Sequence, residues 1–217
     1  MKKWILISTG IVLIVLLVFF LNNGKYAEKC KTAYEALNDR PIHYMLRQNA
    51  EYFGGKENSS FVTNGKYWIS GKDYLYYSNT EDVYDSAYQE VCKDGIAYPF
   101  YFGQWEPSTK PEPPFTGWFD TPWSDLQLTF LSVSKAEGKQ NYTFARGRKD
   151  LYMSFTFDAE GNLESITISG ISEETTTQGT LRRNWEDVYT IVSLDKTEIE
   201  KTINSRFAQA VAGQSLS

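Results

Sequence analysis

The sequence predicts an α+β fold, mainly antiparallel β: one large twisted sheet or half-open barrel with an N-terminal and a C-terminal helix, preceded by one transmembrane helix. Three observations predict it. Trp4 to Leu21 is an uncharged apolar run behind Met1-Lys2-Lys3. From Ser60 onward, short alternating segments follow one another, separated by Gly-, Asp- and Asn-containing turns. Two stretches, one on each side of this β-rich region, space their apolar residues as a helix does.

The apolar run sets the address. Eighteen helical residues rise about 27 Å, close to the roughly 30 Å hydrocarbon core of a bilayer. The run is longer than a signal-peptide core and lacks an A-x-A-like cleavage site, so a retained signal-anchor is expected. No Cys follows it directly, which argues against a lipoprotein signal. Lys2 and Lys3 precede it, but Lys25, Lys29, Lys31 and Arg40 follow, so charge alone does not orient it. The short N-terminal flank favours residues 1–3 in the cytoplasm and a single-pass cell-membrane protein with its C-terminal domain extracytoplasmic. The expected organisation is an anchor over 4–21, a membrane-proximal helix over 22–40, a β-rich domain over 41–207 and a frayed tail over 208–217.

Composition excludes some partners. Taking Lys2 and Lys3 from the 22 basic residues, against 27 acidic ones, leaves the part after the anchor at a net charge of −7. Nucleic acid is therefore not an expected partner, since phosphate binding needs concentrated positive charge. Aromatics make up 16% of the chain, with 15 tyrosines, and favour strands.

The elements follow in order. Tyr26, Cys30, Ala33, Tyr34 and Leu37 form one apolar stripe on a helix over about 25–38, ended by Asp39-Arg40-Pro41. The stretch 41–53 alternates at Ile42, Tyr44 and Leu46 and reads as a strand. Further strands are expected over 60–70, 74–77, 84–91 and 96–102, the last two joined by a hairpin at Lys93-Asp94-Gly95. Residues 105–123 hold Pro107, Pro111, Pro113, Pro114 and Pro122 together with many aromatics. Proline blocks central pairing, so this is a loop, and one too apolar to be a free linker. Leu126, Leu128 and Phe130 alternate, then Leu131 and Val133 change phase, as at a bulge. A strand over 142–146 precedes the hairpin 151–157/163–169, and shorter strands follow over 175–182 and 188–194. Asp195 and Thr197 offer caps to a last helix, Thr197-x-x-Glu200 fitting a capping box, with Ile199, Ile203 and Phe207 as its buried stripe.

The order of helix, meandering strands and aromatic cover, with Tyr67-Trp68-Ile69-Ser70-Gly71-Lys72-Asp73-Tyr74-Leu75 and Lys93-Asp94-Gly95 before Trp105, resembles the bacterial periplasmic lipoprotein-carrier superfamily. The resemblance, over roughly 25–205, implies a half-open barrel above a hydrophobic cavity. This chain departs from the carriers in being tethered where they shuttle freely, so no functional residue is carried over.

Chemistry is sparse. There is no G-x-S-x-G elbow, P-loop, dinucleotide fingerprint or H-E-x-x-H, and no cofactor or metal is expected. His43 is the single histidine and reads as a packing or surface residue. Glu173-Glu174 and Glu186-Asp187 are adjacent carboxylates in turn-like or strand-edge contexts. Cys30 and Cys92 are candidates for a disulfide in an oxidising compartment. The expected function is a non-enzymatic, membrane-anchored binding domain for a lipid or other apolar ligand, with Trp105, Phe115, Trp118, Phe119 and Trp123 at its mouth. The alternatives are an accessory subunit paired with an envelope protein and a cell-wall or carbohydrate binder.

Overall fold

The computed structural model describes residues 23–37, 40–54, 58–80, 88–101, 103–109, 111, 121–147, 150–176 and 179–214. The apolar run Trp4–Leu21 lies outside the described residues. No helix among the described residues is long and apolar enough to cross a membrane.

Helix α1 covers 23–35. Eleven strands follow: β1 (Ile42–Phe53), β2 (Ser59–Ser70), β3 (Asp73–Thr80), β4 (Tyr88–Lys93), β5 (Ile96–Tyr101), β6 (Gln104–Trp105), β7 (Leu128–Ala136), β8 (Lys139–Arg146), β9 (Leu151–Phe157), β10 (Leu163–Thr176) and β11 (Gly179–Ser193). Helix α2 (Lys196–Gln214) ends the described chain. The strands form one antiparallel sheet in the order β6-β5-β4-β3-β2-β1-β11-β10-β9-β8-β7. Two meanders therefore meet at the β1–β11 seam, which brings the first and last strands together in the middle of the sheet.

Local chemistry sets the turns. Asp94 and Gly95 both take positive φ, 52° and 81°, as the two-residue hairpin between β4 and β5 requires. The phase change expected after Phe130 is a register shift between Phe130 and Ser132 in the β7–β8 pairing. The alternating hairpin at 151–169 is present as β9 and β10.

Several elements run longer than the sequence suggested, β3 and β8 by three or four residues and three others by more. The strand expected to end near Ser169 continues to Thr176, and one strand, Gly179–Ser193, replaces the two expected over 175–182 and 188–194. Arg182, Arg183, Asn184, Glu186 and Asp187 hid its continuity, because a central strand was expected to be apolar. Helix α2 also runs past Phe207, and Ala210 is fully buried in its continuation.

Alternation in β2 separates two packing layers. Tyr67 and Ile69 pack with the main core, whereas Trp68 between them packs in a second cluster. On the first face, α1 lays Cys30 and Tyr34 onto Tyr142, Phe144, Phe155 and Ile166 of β8–β10. On the other face, α2 lays Ile199, Ile203 and Ala210 onto Leu75, Val91 and Tyr98 of β3–β5. Each helix thus covers the meander remote from it in sequence, and the two lie on opposite faces rather than sharing one. Cys30 and Cys92 are both free and buried, in separate clusters, so no disulfide joins them. Burial pushes the Cys30 thiol up to about 12, and that of Cys92 upward as well, so neither is a thiolate at neutral pH.

Candidate functional site

Helix α2 is fixed at its start by Asp195, whose Oδ1 accepts from the backbone N–H of Thr197 at 2.8 Å and of Glu198 at 3.2 Å. Asp195, one of the two caps expected, is therefore the N-cap in place of Thr197; its own N–H donates to Ser193 Oγ at 3.1 Å, and Ser193 Oγ donates to Glu198 Oε2 at 3.0 Å. From there the helix reaches Trp105, which lies against Gly213.

Beside α2, on the same face, lies an open cavity of about 1960 Å³. Drug-sized pockets occupy roughly 300–1,000 Å³, so this one suits a longer molecule. It crosses the strands from β11 through β1, β2, β3 and β4 to β5. Five inter-strand steps of about 4.8 Å give it a length of roughly 24 Å. Met45, Trp68, Tyr77, Phe100 and Val188 supply its apolar surface, and Arg47, Asn64, Lys66, Asn79 and Glu186 its polar surface. The register explains the combination. Met45 pairs with Lys66, Lys66 with Tyr77, Tyr77 with Gln89 and Gln89 with Phe100, so one row of same-face residues crosses the groove.

The wall on the α2 side is held by Arg206. Its guanidinium lies 5.5 Å from the Tyr77 ring centroid and 5.7 Å from that of Trp105. Its Nη2 donates to Gln89 Oε1 at 3.1 Å and its Nη1 to Gln209 Oε1 at 2.8 Å. Arg206 Nε and Gln89 Nε2 are buried donors with no hydrogen-bond partner. Deeper under α2, His43 stacks on Trp68 with centroids 4.2 Å apart and planes 18° from parallel. Both His43 ring nitrogens are buried without a hydrogen bond, and burial lowers its pKa, against a smaller upward pull from Glu198.

On the opposite face, a row of tyrosines crosses the same strands. Tyr44 stacks on Tyr67 at 4.8 Å, and Tyr67 on Tyr76 at 5.7 Å. Gly65 permits this, since a Cβ there would stand 2.4 Å from the Tyr67 ring. Glu90, buried on this face, accepts from the hydroxyls of Tyr74 and Tyr88.

Of the residues expected at the mouth, Trp105 and Trp123 are described, and they lie in separate clusters. Trp105 packs in the α2 cluster, its ring 5.0 Å from that of Phe100, which lines the groove. Trp123 packs with Tyr34, Phe144 and Phe155 in the core of the other face. Phe115, Trp118 and Phe119 lie outside the described residues. Sequence reading missed Met45, Trp68, Tyr77, Phe100 and Val188, the residues that do share the cavity. The available signal was the mixed set Met45, Arg47 and Asn49 on one face of a strand whose other face buries Ile42, Tyr44, Leu46 and Ala50.

The described residues hold no group of three or more His, Cys, Asp or Glu placed to bind a metal. Glu186 and Asp187 point to opposite faces. Glu186 lines the groove, while Asp187 accepts from Gln48 Nε2 at 3.3 Å on the far side, where burial raises its pKa.

No protein-family model matches the chain, and no curated protein matches it. Solved structures similar to it include LprF from Mycobacterium bovis, at 10% identity and TM-score 0.39, covering 80% of this chain and 97% of that one. They also include a LolA superfamily protein from Nitrosomonas europaea, at 10% identity and TM-score 0.30, covering 81% and 96%. A putative outer membrane lipoprotein-sorting protein domain from Vibrio parahaemolyticus follows at 11% identity and TM-score 0.26, covering 83% and 98%. At these identities and scores the likenesses assign no role to any residue of this chain.

Proposed function

We propose that this chain is a non-enzymatic binding domain for a lipid or other elongated apolar ligand, held at the outer face of a cell membrane by Trp4–Leu21. The observation that carries the binding reading is the groove of about 1960 Å³ beside α2, with Trp68, Met45, Tyr77, Phe100 and Val188 on its surface. An apolar cleft of this size left open to water costs free energy that an apolar ligand recovers, at about 25 cal/mol per Å² covered. The membrane supplies both the anchor site and the ligand pool. Full-length protein extracted in mild detergent should carry lipid detectable by mass spectrometry. Val188→Trp with Met45→Trp, which fill the groove from strands that already tolerate aromatics, should lose that lipid and keep the circular dichroism spectrum. Wild-type protein extracted free of lipid refutes the binding reading. Protease added to spheroplasts should digest the domain, and complete protection would reverse its orientation.

A second reading rests on β7. It is an edge strand among the described residues, and it exposes Leu131 (47%) and Val133 (37%). An unpaired edge with apolar side chains is suited to strand addition by an envelope partner. Cross-linking from β7 that captured one stoichiometric protein, with no lipid in the groove, would favour this accessory role.

A further inference from the structure

Three cations border the groove without an acidic partner among the described residues. Arg47 and Lys66 line it, and Arg206 forms its wall by contact with Tyr77 and Gln89. None of the three takes part in an ion pair among the described residues, where the pairs are Lys139–Glu164 and Lys196–Glu200. Met45 is the residue opposite Lys66, so Arg47 is its diagonal neighbour on the same face, about 7–8 Å away. Like charges this close repel, and in a chain of net charge −5 acidic residues to compensate them are not scarce. Among the described residues, Glu186 is the one acid that lines the cavity, set on β11 opposite Asn49 and diagonal to Arg47, which leaves Lys66 and Arg206 as the uncompensated cations.

Two orphaned donors stand on the α2 side of the groove, at the end of the row that runs from Lys66 through Tyr77 to Gln89. Gln89 Nε2 belongs to a residue that lines the groove, and Arg206 Nε belongs to the residue hydrogen-bonded to it. A buried donor without an acceptor is destabilising. An oxyanion supplies the missing negative charge and several acceptor lone pairs, which the exposed Lys66 and Arg47 meet directly and which Gln89 and Arg206 meet by turning their buried donors toward the groove. The apolar part of the ligand then follows Trp68, Met45 and Val188. The roughly 24 Å groove exceeds the roughly 15 Å of one leaflet's hydrocarbon, half of the 30 Å bilayer core, by about the space a headgroup needs.

We infer that the groove selects an anionic amphiphile, a lipid whose headgroup carries a net negative charge, with Lys66, Arg206 and Gln89 receiving the head and Arg47 flanking it. This rests on the apolar-ligand reading and adds the chemistry of the head. The source is a lipid and not a free anion, because the donors border an apolar cavity.

Full-length protein in nanodiscs of neutral, zwitterionic lipid is titrated with lysophosphatidylglycerol and with lysophosphatidylcholine of the same chain length, and binding is read by tryptophan fluorescence. Wild type should bind the anionic lysolipid about tenfold more tightly. Lys66→Gln with Arg47→Gln, both exposed and safe for folding, should erase the preference, with lysophosphatidylcholine binding still detected. Arg206→Gln should do the same, with circular dichroism reporting whether α2 remains. Equal binding of the two lysolipids by wild type overturns the inference and leaves the apolar-ligand reading intact. Binding of neither sinks both. Competition by inorganic phosphate at concentrations matching the lysolipid would show a free-anion site and would overturn the lipid assignment.

Discussion

In the β7–β11 half of the sheet, α1 presses Cys30 and Tyr34 onto a face where Tyr142, Phe144, Met153, Phe155 and Phe157 are all buried. In the β1–β6 half, α2 covers Leu75, Val91 and Tyr98 on the opposite face and leaves the next row of residues open. Both halves are antiparallel meanders with one helix each. They differ in how completely the helix is met by side chains. The first has rings packed edge-to-face at 5.5–6.3 Å, as in Tyr34–Phe155 and Tyr142–Phe157, so its surface is spent on cohesion. In the second, Lys66, Gln89 and Arg47 stand where another apolar layer would sit. A sheet that is filled on one half and open on the other keeps its stability and its binding surface on separate ground.

Truncation in the filled half should have the largest effect. Phe155 is fully buried among Tyr34, Trp123 and Phe144. Phe155→Ala should cost about 3–5 kcal/mol and shift the whole denaturant transition, followed by circular dichroism. If only part of the signal moved, the filled half would not be the body that supports the rest.

Ile203→Ala sharpens the comparison from the other side. Ile203 is buried under α2 against the β3–β5 layer. The loss should fall at the lower end of about 2–5 kcal/mol, because the neighbouring open groove lets the site collapse. Hydrogen exchange should rise in α2 and β3–β5 and stay unchanged in β8–β10. Uniform loss of protection would mean that the two halves unfold as one unit.

Asp195→Ala removes the cap of α2 and should cost about 1 kcal/mol, most of it read as faster exchange in the first turn of the helix. Thr197→Ala should cost less, because Asp195 and not Thr197 accepts those backbone donors.

Most of the strands and both helical stripes were legible in the sequence, because alternation at Leu151–Phe157 and four-residue spacing at Ile199, Ile203 and Phe207 follow directly from burying one face. The site was far less legible. Density of aromatics pointed to Trp123, which is core, since an aromatic in a Pro-rich segment is as useful for filling as for binding. The groove is made by residues from six strands, and only register brings Val188, Met45, Tyr77 and Phe100 side by side. The polar middle of β11 was read as a break between two strands, although it is continuous and carries Glu186 on the open face.

The smallest effect expected is on pH dependence, through His43. This ring lies at the border between the two regimes, stacked on Trp68 and facing Glu198 of α2 and Lys66 of β2. Burial lowers its pKa below the ordinary value near 6.5, so the unfolded chain takes up the proton first as pH falls. The stabilisation is therefore complete above about pH 6.5 and is lost progressively as pH drops below that value toward the folded pKa. Since His43 lies under the start of α2, the loss should be felt as weaker helix docking rather than as unfolding of β8–β10. Exchange in α2 measured at pH 7.5 and pH 5.5 should show this difference in wild type after correction for intrinsic rates. His43→Gln keeps a planar polar group against Trp68 without a proton to gain, and should flatten the difference. A wild-type α2 whose protection stayed constant between those two pH values would show that Glu198 compensates the proton, and the border between the filled and open halves would then carry no acid sensitivity.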